Sequence, residues 1–202
     1  LLNHDSENEG ELYVGCAGGI DATMKFAYKM ENVPADYCAY KLTIGGLKGG
    51  HSGMDINTGR ANANKLLFRH MRWVAECGVR LIEVEGGSLR NAIPRDANLT
   101  FAMPKAHKEC ILNEFDKVAG WIKKEIGSVE PDFFMKYEET EMPQQVMSEA
   151  DTQTIINVVM VVPNGVIRMS RDMEGLVETS LNVATLNTIN GEFVIKALLR
   201  SS

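Results

Sequence analysis

A glycine-rich stretch constrains the folding of this chain most strongly, because residues 45–53 contain five glycines in nine positions. Glycine adopts backbone angles that other residues avoid, and such a density interrupts helices and strands. The stretch therefore predicts a loop with unusual backbone geometry. It lacks the GxxxxGK[S/T] spacing of a phosphate-binding loop, and it also lacks the spacing and acidic partner of a dinucleotide-binding fingerprint.

His51 is presented at the end of this loop, and Ser52 and Asp55 follow closely enough to orient its ring through the ring nitrogens. A histidine in such a place usually caps a turn or a helix, because polar loop residues tend to have local partners. The glycines also give the ring a flexible approach. The residues alone favour the capping interpretation.

Helical and alternating patterns surround the loop. Asn57 or Thr58 is predicted to cap a helix that ends near Gly78, with apolar residues at helical spacing. Two further helices are predicted at residues 105–126 and 148–161. Strands are predicted at residues 12–16, 21–29, 37–44, 79–84, 99–103, 133–139, 177–189 and 193–199, and an Asn-Gly turn joins the last two.

The order of these elements predicts the fold class. Short hairpins favour a mainly antiparallel sheet, and three amphipathic helices must cover one face of it to bury their apolar sides. The expected fold is therefore α+β, a two-layer sandwich with helices packed on one face. His70 and His107 are expected at the surface. The aromatic residues expected in the core are Trp73, Trp121, Phe115, Phe133 and Phe134.

Composition argues against several classes of protein. The 202 residues carry a net charge of −6, whereas nucleic-acid-binding domains are usually basic. No apolar run approaches the roughly 20 residues needed to span a bilayer. The four cysteines form no CxxC pair and fit free thiols in a reducing cytoplasm. The four histidines show no i, i+4 spacing, so a complete metalloenzyme site is hard to build from this chain alone.

Four separated motifs resemble one enzyme family. The sequence Gly-Gly-His-Ser-Gly at 49–53, followed by Gly-Arg-Ala-Asn-Ala at 59–63, is similar to the lid, or dimerisation, domain of di-zinc exopeptidases. The resemblance is to the aminoacylhistidine dipeptidase group (Xaa-His dipeptidase, peptidase D). Residues 3–11 with 14–19, residues 91–95 and residues 199–202 resemble further segments of that lid and its junctions, in the order of the family.

The resemblance implies roles for four residues. Asp5 matches a carboxylate ligand of the two zinc ions in the full-length family members. His51 matches the lid histidine that donates to the substrate carbonyl oxygen as it becomes an oxyanion, a contribution of roughly 3–4 kcal/mol. Asn91 resembles the amide that contacts the substrate backbone, and Arg200 resembles the arginine that pairs with the C-terminal carboxylate of a dipeptide. The alternative interpretation of Asp5 and Asn91 is that each residue forms a turn. The alternative for Arg200 is an exposed arginine at the end of a strand.

Three other arginines bear on these roles. Arg95 and Arg171 rival Arg200 for the carboxylate, whereas Arg60 is interpreted as a structural residue of the helix start. In related dimeric enzymes the lid histidine reaches the site of the other subunit. Whether His51 serves its own chain or a neighbouring chain therefore stays open at this point.

The resemblance also divides the chain and implies a function. Residues 1–10 would end a catalytic-domain strand, residues 11–198 would form the lid, and residues 199–202 would return to the catalytic domain. The implied protein is a cytosolic, zinc-dependent, homodimeric dipeptidase that cleaves Xaa-His (carnosine-like) and other dipeptides, without nucleic-acid or membrane partners. The fragment alone is expected to be inactive and to bind no zinc. The alternatives are a self-association module without a direct catalytic role and a small-molecule-binding domain unrelated to peptidases.

Overall fold

A computed structural model describes residues 9–10 and 16–202. Asp5 and nearly all of the strand predicted at residues 12–16 lie outside these residues. The strands, in chain order, are β1 (Gly18–Ala27), β2 (Met30–Asn32), β3 (Tyr37–Gly45), β4 (Gly50–His51), β5 (Arg80–Gly86), β6 (Ala92–Ile93), β7 (Ala97–Pro104), β8 (Phe134–Thr140), β9 (Gln145–Met147), β10 (Gly165–Met169), β11 (Val177–Ile189) and β12 (Glu192–Ser201).

Eight of these strands form one antiparallel sheet with the order β1-β12-β11-β5-β7-β3-β8, and β10 pairs with β11. The sheet has two halves, which meet where Leu186 of β11 pairs with Gly86 of β5 and Asn187 pairs with Glu85. The predicted hairpin between β11 and β12 is present. Its two turn residues both have positive φ, 52° at Asn190 and 77° at Gly191, as Asn-Gly turns favour.

Three helices accompany the sheet: α1 (Ala63–Val74), α2 (Lys108–Ile126) and α3 (Glu149–Val161). The start predicted for the first helix is wrong. Asn62 caps α1 by accepting a hydrogen bond from Lys65 N at 3.2 Å, whereas residues 52–59 form turns. The hydroxyl of Thr58 donates to the Asp55 carbonyl instead of capping a helix.

The core lies between the helices and one face of the sheet. Phe115 of α2 is fully buried, and its ring centroid lies 5.6 Å from that of Phe101 on β7. Val118 and Ile122 continue the same buried side of α2. The predicted α+β two-layer sandwich is confirmed. Among the helices of residues 16–202, none is long and apolar enough to cross a membrane.

Three of the aromatic residues expected in the core are exposed. Trp73 and Trp121 are 54% and 43% exposed, and they pair edge to face on the outer sides of α1 and α2 with ring centroids 5.2 Å apart. Phe134 is 45% exposed at the edge strand β8, whereas its neighbour Phe133 is buried. Successive residues of an extended chain point to opposite faces, so only one of this pair can face the core.

The expectation that His70 lies at the surface is also wrong. His70 is fully buried on α1, four residues after Leu66 on the same side of the helix, and its Nδ1 lies 2.9 Å from the Leu66 carbonyl oxygen. Burial lowers the pKa of His70 to about 4, so the ring is neutral at neutral pH. His107 is exposed, as predicted.

Candidate functional site

The short strands β4 and β6 place His51 at the edge of the glycine-rich loop. They pair with each other, so that His51 lies opposite Ala92. The next residue, Ser52, donates its backbone N–H to the Asn91 carbonyl at 2.9 Å. Two of the predicted site residues, His51 and Asn91, therefore lie side by side, with the Asn91 side chain exposed.

The glycines of the loop adopt the unusual geometry that the sequence predicts. Gly49 and Gly50 have φ values of 65° and 132°. The Asp55 carboxylate accepts from His51 N at 2.8 Å and forms a 2.8 Å ion pair with Arg60, which also donates to the Gly49 carbonyl at 2.6 Å. A side chain at Gly50 would collide with both charged groups. Arg60 thus holds the loop rather than the helix start.

Two backbone amides orient the His51 ring. Gly53 N and Met54 N lie 3.3 Å and 3.2 Å from Nδ1, and both donate to it. Because Nδ1 accepts, a neutral ring carries its proton on Nε2. The expectation that the Ser52 and Asp55 side chains orient the ring is wrong, since Asp55 binds the backbone N–H of His51 instead.

Arg200 lies against the protonated side of this ring. Its Nη2 is 3.5 Å from His51 Nε2. It belongs to β12, where it pairs with Gly19 of β1 and Ser180 of β11. The Arg200 Nε is buried and has no hydrogen-bond partner among the residues described. Both groups are donors and cannot satisfy each other, so the arrangement suits an acceptor oxygen that carries or develops negative charge.

The two rival arginines lie elsewhere. Arg95 donates from Nε to the Leu47 carbonyl at 3.3 Å and so helps to hold the glycine-rich loop. Arg171 lies in the exposed connection between β10 and β11. Of these three arginines, Arg200 is the one within 3.5 Å of the His51 ring.

No zinc site is assembled within residues 9–10 and 16–202, where no group of three or more His, Cys, Asp or Glu side chains could hold a metal ion. Near the site, Nδ1 of His51 is occupied by two amides, and the Asp55 carboxylate is paired with Arg60. These residues therefore do not fit a zinc centre. Asp5, the predicted ligand, lies outside the described part of the chain.

Sequence reasoning missed one charged residue close to the loop, Glu130. It stands between the helix predicted at residues 105–126 and the strand predicted at residues 133–139, yet it is only 1% exposed. Acidic residues are usually solvated, and no pattern of apolar neighbours marks this one as buried. Only the tertiary structure brings it against the glycine-rich loop.

Comparison with known proteins gives a family match at the centre of the chain. A family model described as a peptidase dimerisation domain matches residues 42–130. Residues 42–130 are thus similar to a peptidase dimerisation domain. The matched region contains His51 and Asn91, whereas Arg200 is contributed by a strand that follows it.

Two dipeptidases resemble the whole chain. The cytosol non-specific dipeptidase of Escherichia coli (strain K12) is 41% identical over 202 residues, which are 100% of this chain and 42% of that protein. The crystal structure of aminoacylhistidine dipeptidase from Vibrio alginolyticus matches with a TM-score of 0.93 and 46% identity, over 98% of this chain and 40% of that chain. The predicted resemblance to the lid of that group is confirmed. The chain spans about two fifths of the length of either relative.

Proposed function

We propose that the chain is the lid of a cytosolic, zinc-dependent dipeptidase that hydrolyses Xaa-His (carnosine-like) and other dipeptides. One observation carries the proposal: two hydrogen-bond donors, His51 Nε2 and Arg200 Nη2, lie 3.5 Å apart. The names of the two relatives support the class of substrate, and the name of one supports a cytoplasmic location.

The spacing of the two donors matches the chemistry of a dipeptide. Only one nitrogen and one Cα separate the scissile carbonyl carbon from the carbon of the terminal carboxylate. Neighbouring donors can therefore hold both groups of one substrate. We assign the carboxylate to Arg200, because a guanidinium forms paired, charge-assisted hydrogen bonds with it. We assign the carbonyl oxygen to His51, because its Nε2–H strengthens its hydrogen bond as negative charge develops.

Asn91 and Asp5 complete the proposed assignments. Asn91 lies beside His51 with an exposed side chain, and we assign it to the backbone of the dipeptide. We assign Asp5 as a zinc ligand of the longer enzyme, together with ligands of a catalytic domain in the same protein. Residues 1–10 and 199–202 would then join that domain to the lid at residues 11–198.

Replacing Arg200 by methionine tests the carboxylate assignment. We expect kcat/KM for dipeptides to fall roughly tenfold to hundredfold in the enzyme that carries this lid, since a charged hydrogen-bonding group is lost. The variant should also lose its preference for a dipeptide over the same dipeptide with an amidated C-terminus. Steady-state kinetics with both substrates measures the two effects.

The matched control is Arg171→Met, which removes the same charge from an exposed connection. It should leave both kinetic quantities unchanged. A loss of carboxylate preference in the Arg171 variant, with the preference intact in the Arg200 variant, would contradict the assignment.

The geometry also favours a site in which both donors come from one lid. His51 and Arg200 of the same chain lie close enough to contact one dipeptide. We therefore propose that each active site takes both groups from one lid.

Mixing two impaired variants tests this arrangement. When His51→Ala and Arg200→Met enzymes exchange subunits, we expect no more activity than the sum of the two preparations, because every lid lacks one donor. If the two donors of a site instead came from different lids, one site of each mixed dimer would contain both donors. Activity that rises on mixing would therefore refute a site built from one lid.

Self-association is a second candidate function, and the Trp73–Trp121 pair favours it. Both exposed rings lie within the dimerisation domain at residues 42–130. The long strands of this domain, β3, β5 and β7, each have a neighbour on both sides, so none offers a free edge for pairing. The exposed aromatic pair is thus the surface of this domain that best suits a second copy of the chain.

Replacing Trp73 and Trp121 together by glutamate should weaken self-association by roughly tenfold to hundredfold, as expected when central aromatic residues of an interface are lost. Sedimentation velocity over a range of concentrations measures the change. The control replaces Ile167 and Met173, exposed apolar residues of the β10 region, in the same way. Dissociation of the control with an intact tryptophan variant would place the interface elsewhere.

A further inference from the structure

Glu130 differs from every other carboxylic acid in the described residues, because it alone is buried. It follows α2 in a turn, where its backbone N–H donates to the Ile126 carbonyl at 2.8 Å and its carbonyl accepts from Phe133 N at 3.3 Å. These bonds fix its backbone next to the glycine-rich loop. Its side chain is therefore presented to that loop from a rigid helix end.

The Glu130 carboxylate binds both ends of the loop. Oε2 accepts from Lys48 N at 2.8 Å, and Oε1 accepts from Ala61 N at 3.0 Å. Neither amide belongs to a helix or a strand, so each needs an acceptor supplied by another part of the chain. Burying a carboxylate is costly unless it is hydrogen-bonded, and a neutral apolar residue would fill the space at lower cost. What the carboxylate adds is two acceptors at a fixed separation.

We propose that Glu130 is a positioning residue that closes the loop of residues 48–61 and thereby sets the His51 imidazole against the Arg200 guanidinium. The functional meaning of this role rests on the proposed function, since it concerns the same site. The closure itself is a property of the fold and is measurable without a substrate.

A second set of contacts, inside the loop, connects the residues that Glu130 binds to His51. Arg60 is adjacent to Ala61, which Glu130 holds, and Arg60 binds both the Gly49 carbonyl and the Asp55 carboxylate. Asp55 in turn binds the backbone N–H of His51. A displacement of either loop end would therefore change the backbone that carries the imidazole. The amides that fix Nδ1 belong to the same loop and would move with it.

The variant Glu130→Gln tests the proposal with little change in shape. A glutamine has one acceptor oxygen, and its amino group faces the N–H of Lys48 or of Ala61, so one loop end loses its bond. In the full chain we expect exchange of that amide with deuterium to become about tenfold faster. We also expect the His51 ring, labelled with nitrogen-15, to change from one Nε2–H tautomer to a mixture.

Glu125→Gln is the matched control, because the Glu125 carboxylate is exposed and binds Arg69 at 2.7 Å. It should leave the exchange rates and the ring tautomer unchanged. A Glu130 variant that is less stable but keeps the wild-type tautomer would show a merely structural role and overturn the proposal.

The wild-type chain provides a test that needs no variant. Because one carboxylate holds both amides, Lys48 N and Ala61 N should become exposed to exchange in a single opening event with the same dependence on denaturant. Independent opening of the two amides would refute the closure. Failure of the dipeptidase assignment would appear in kinetics alone, and it would leave these exchange and tautomer results unchanged.

Discussion

Replacing His51 by alanine is expected to lower kcat for dipeptide hydrolysis by roughly 10²- to 10³-fold, the usual cost of removing one donor to a developing oxyanion. The physical reason for this loss is the tautomer of the His51 ring. Gly53 N and Met54 N occupy Nδ1, so the proton lies on Nε2 beside Arg200. KM should change less than kcat, because the bond strengthens mainly in the transition state. Single-turnover and steady-state kinetics of the enzyme that carries this lid measure both effects.

His107→Ala provides the control for this variant. His107 is also a histidine whose Nδ1 lies near a backbone group, the Cys77 carbonyl oxygen at 3.0 Å, but it is exposed and far along the chain from the loop. Its replacement should leave kcat unchanged. If His51 only capped a turn, the His51 variant would lose stability and keep its kcat, which would contradict the proposed function.

Replacing Phe115 by alanine is expected to destabilise the protein by about 3–5 kcal/mol, the usual cost of removing a buried phenylalanine. The ring is fully buried and contacts three other rings, so their atoms cannot close the cavity without losing contacts elsewhere. The ring centroids lie 5.6 Å from that of Phe101, 6.0 Å from that of His70 and 6.4 Å from that of Tyr137. Urea unfolding measures the change in the free energy of unfolding.

Phe134→Ala tests whether burial causes this loss. Phe134 is the same residue type at the edge strand β8, with 45% of its surface exposed. Its replacement should cost about 1 kcal/mol, because much less apolar surface returns to water. Equal losses for Phe115 and Phe134 would show that the packing around Phe115 does not determine stability.

The regular elements were predictable because their signals are local. Ser148 caps α3, and it precedes a run of apolar residues at helical spacing. The strand predicted at 177–189 has the bounds of β11. The error at α1 has an equally local cause. Asn57 and Thr58 are residue types that often cap helices. Here they lie between Asp55 and Arg60, whose ion pair holds this segment in the loop.

Burial was harder to predict, because the composition of a helix does not say what covers it. Trp73 and Trp121 belong to helices with clear apolar sides, yet both face outward. His70 shares the buried side of α1 with Leu66, and a neutral imidazole is apolar enough to remain there. The His70 ring lies against Phe115 of α2, with ring centroids 6.0 Å apart, so the packing of α2 on α1 buries this histidine.

The candidate site was predictable only through family resemblance. His51, Asn91 and Arg200 were named from separate motifs, and no sequence pattern places Arg200 beside His51. Their proximity depends on the pairing of β4 with β6 and on the position of β12 between β1 and β11. Contacts between residues so distant in sequence arise from the topology of the sheet. Glu130 was missed for the same reason.

The junction between the two halves of the sheet links this site to the folding of the chain. His51 belongs to the short strand β4, which follows β3 of the half formed by β5, β7, β3 and β8. Arg200 belongs to the half in which β11 and β12 form a hairpin and β1 pairs with β12. The pairing of β1 with β12 must close a long loop, so this pairing is expected to form late. Separating imidazole from guanidinium would require the pairs at Leu186 and Asn187 to open. It would also require the hydrogen bonds from Asn182 Nδ2 to the Ala92 carbonyl and from Val84 N to the Thr188 hydroxyl to break. The lifetime of the donor pair is therefore expected to depend on all of these contacts together.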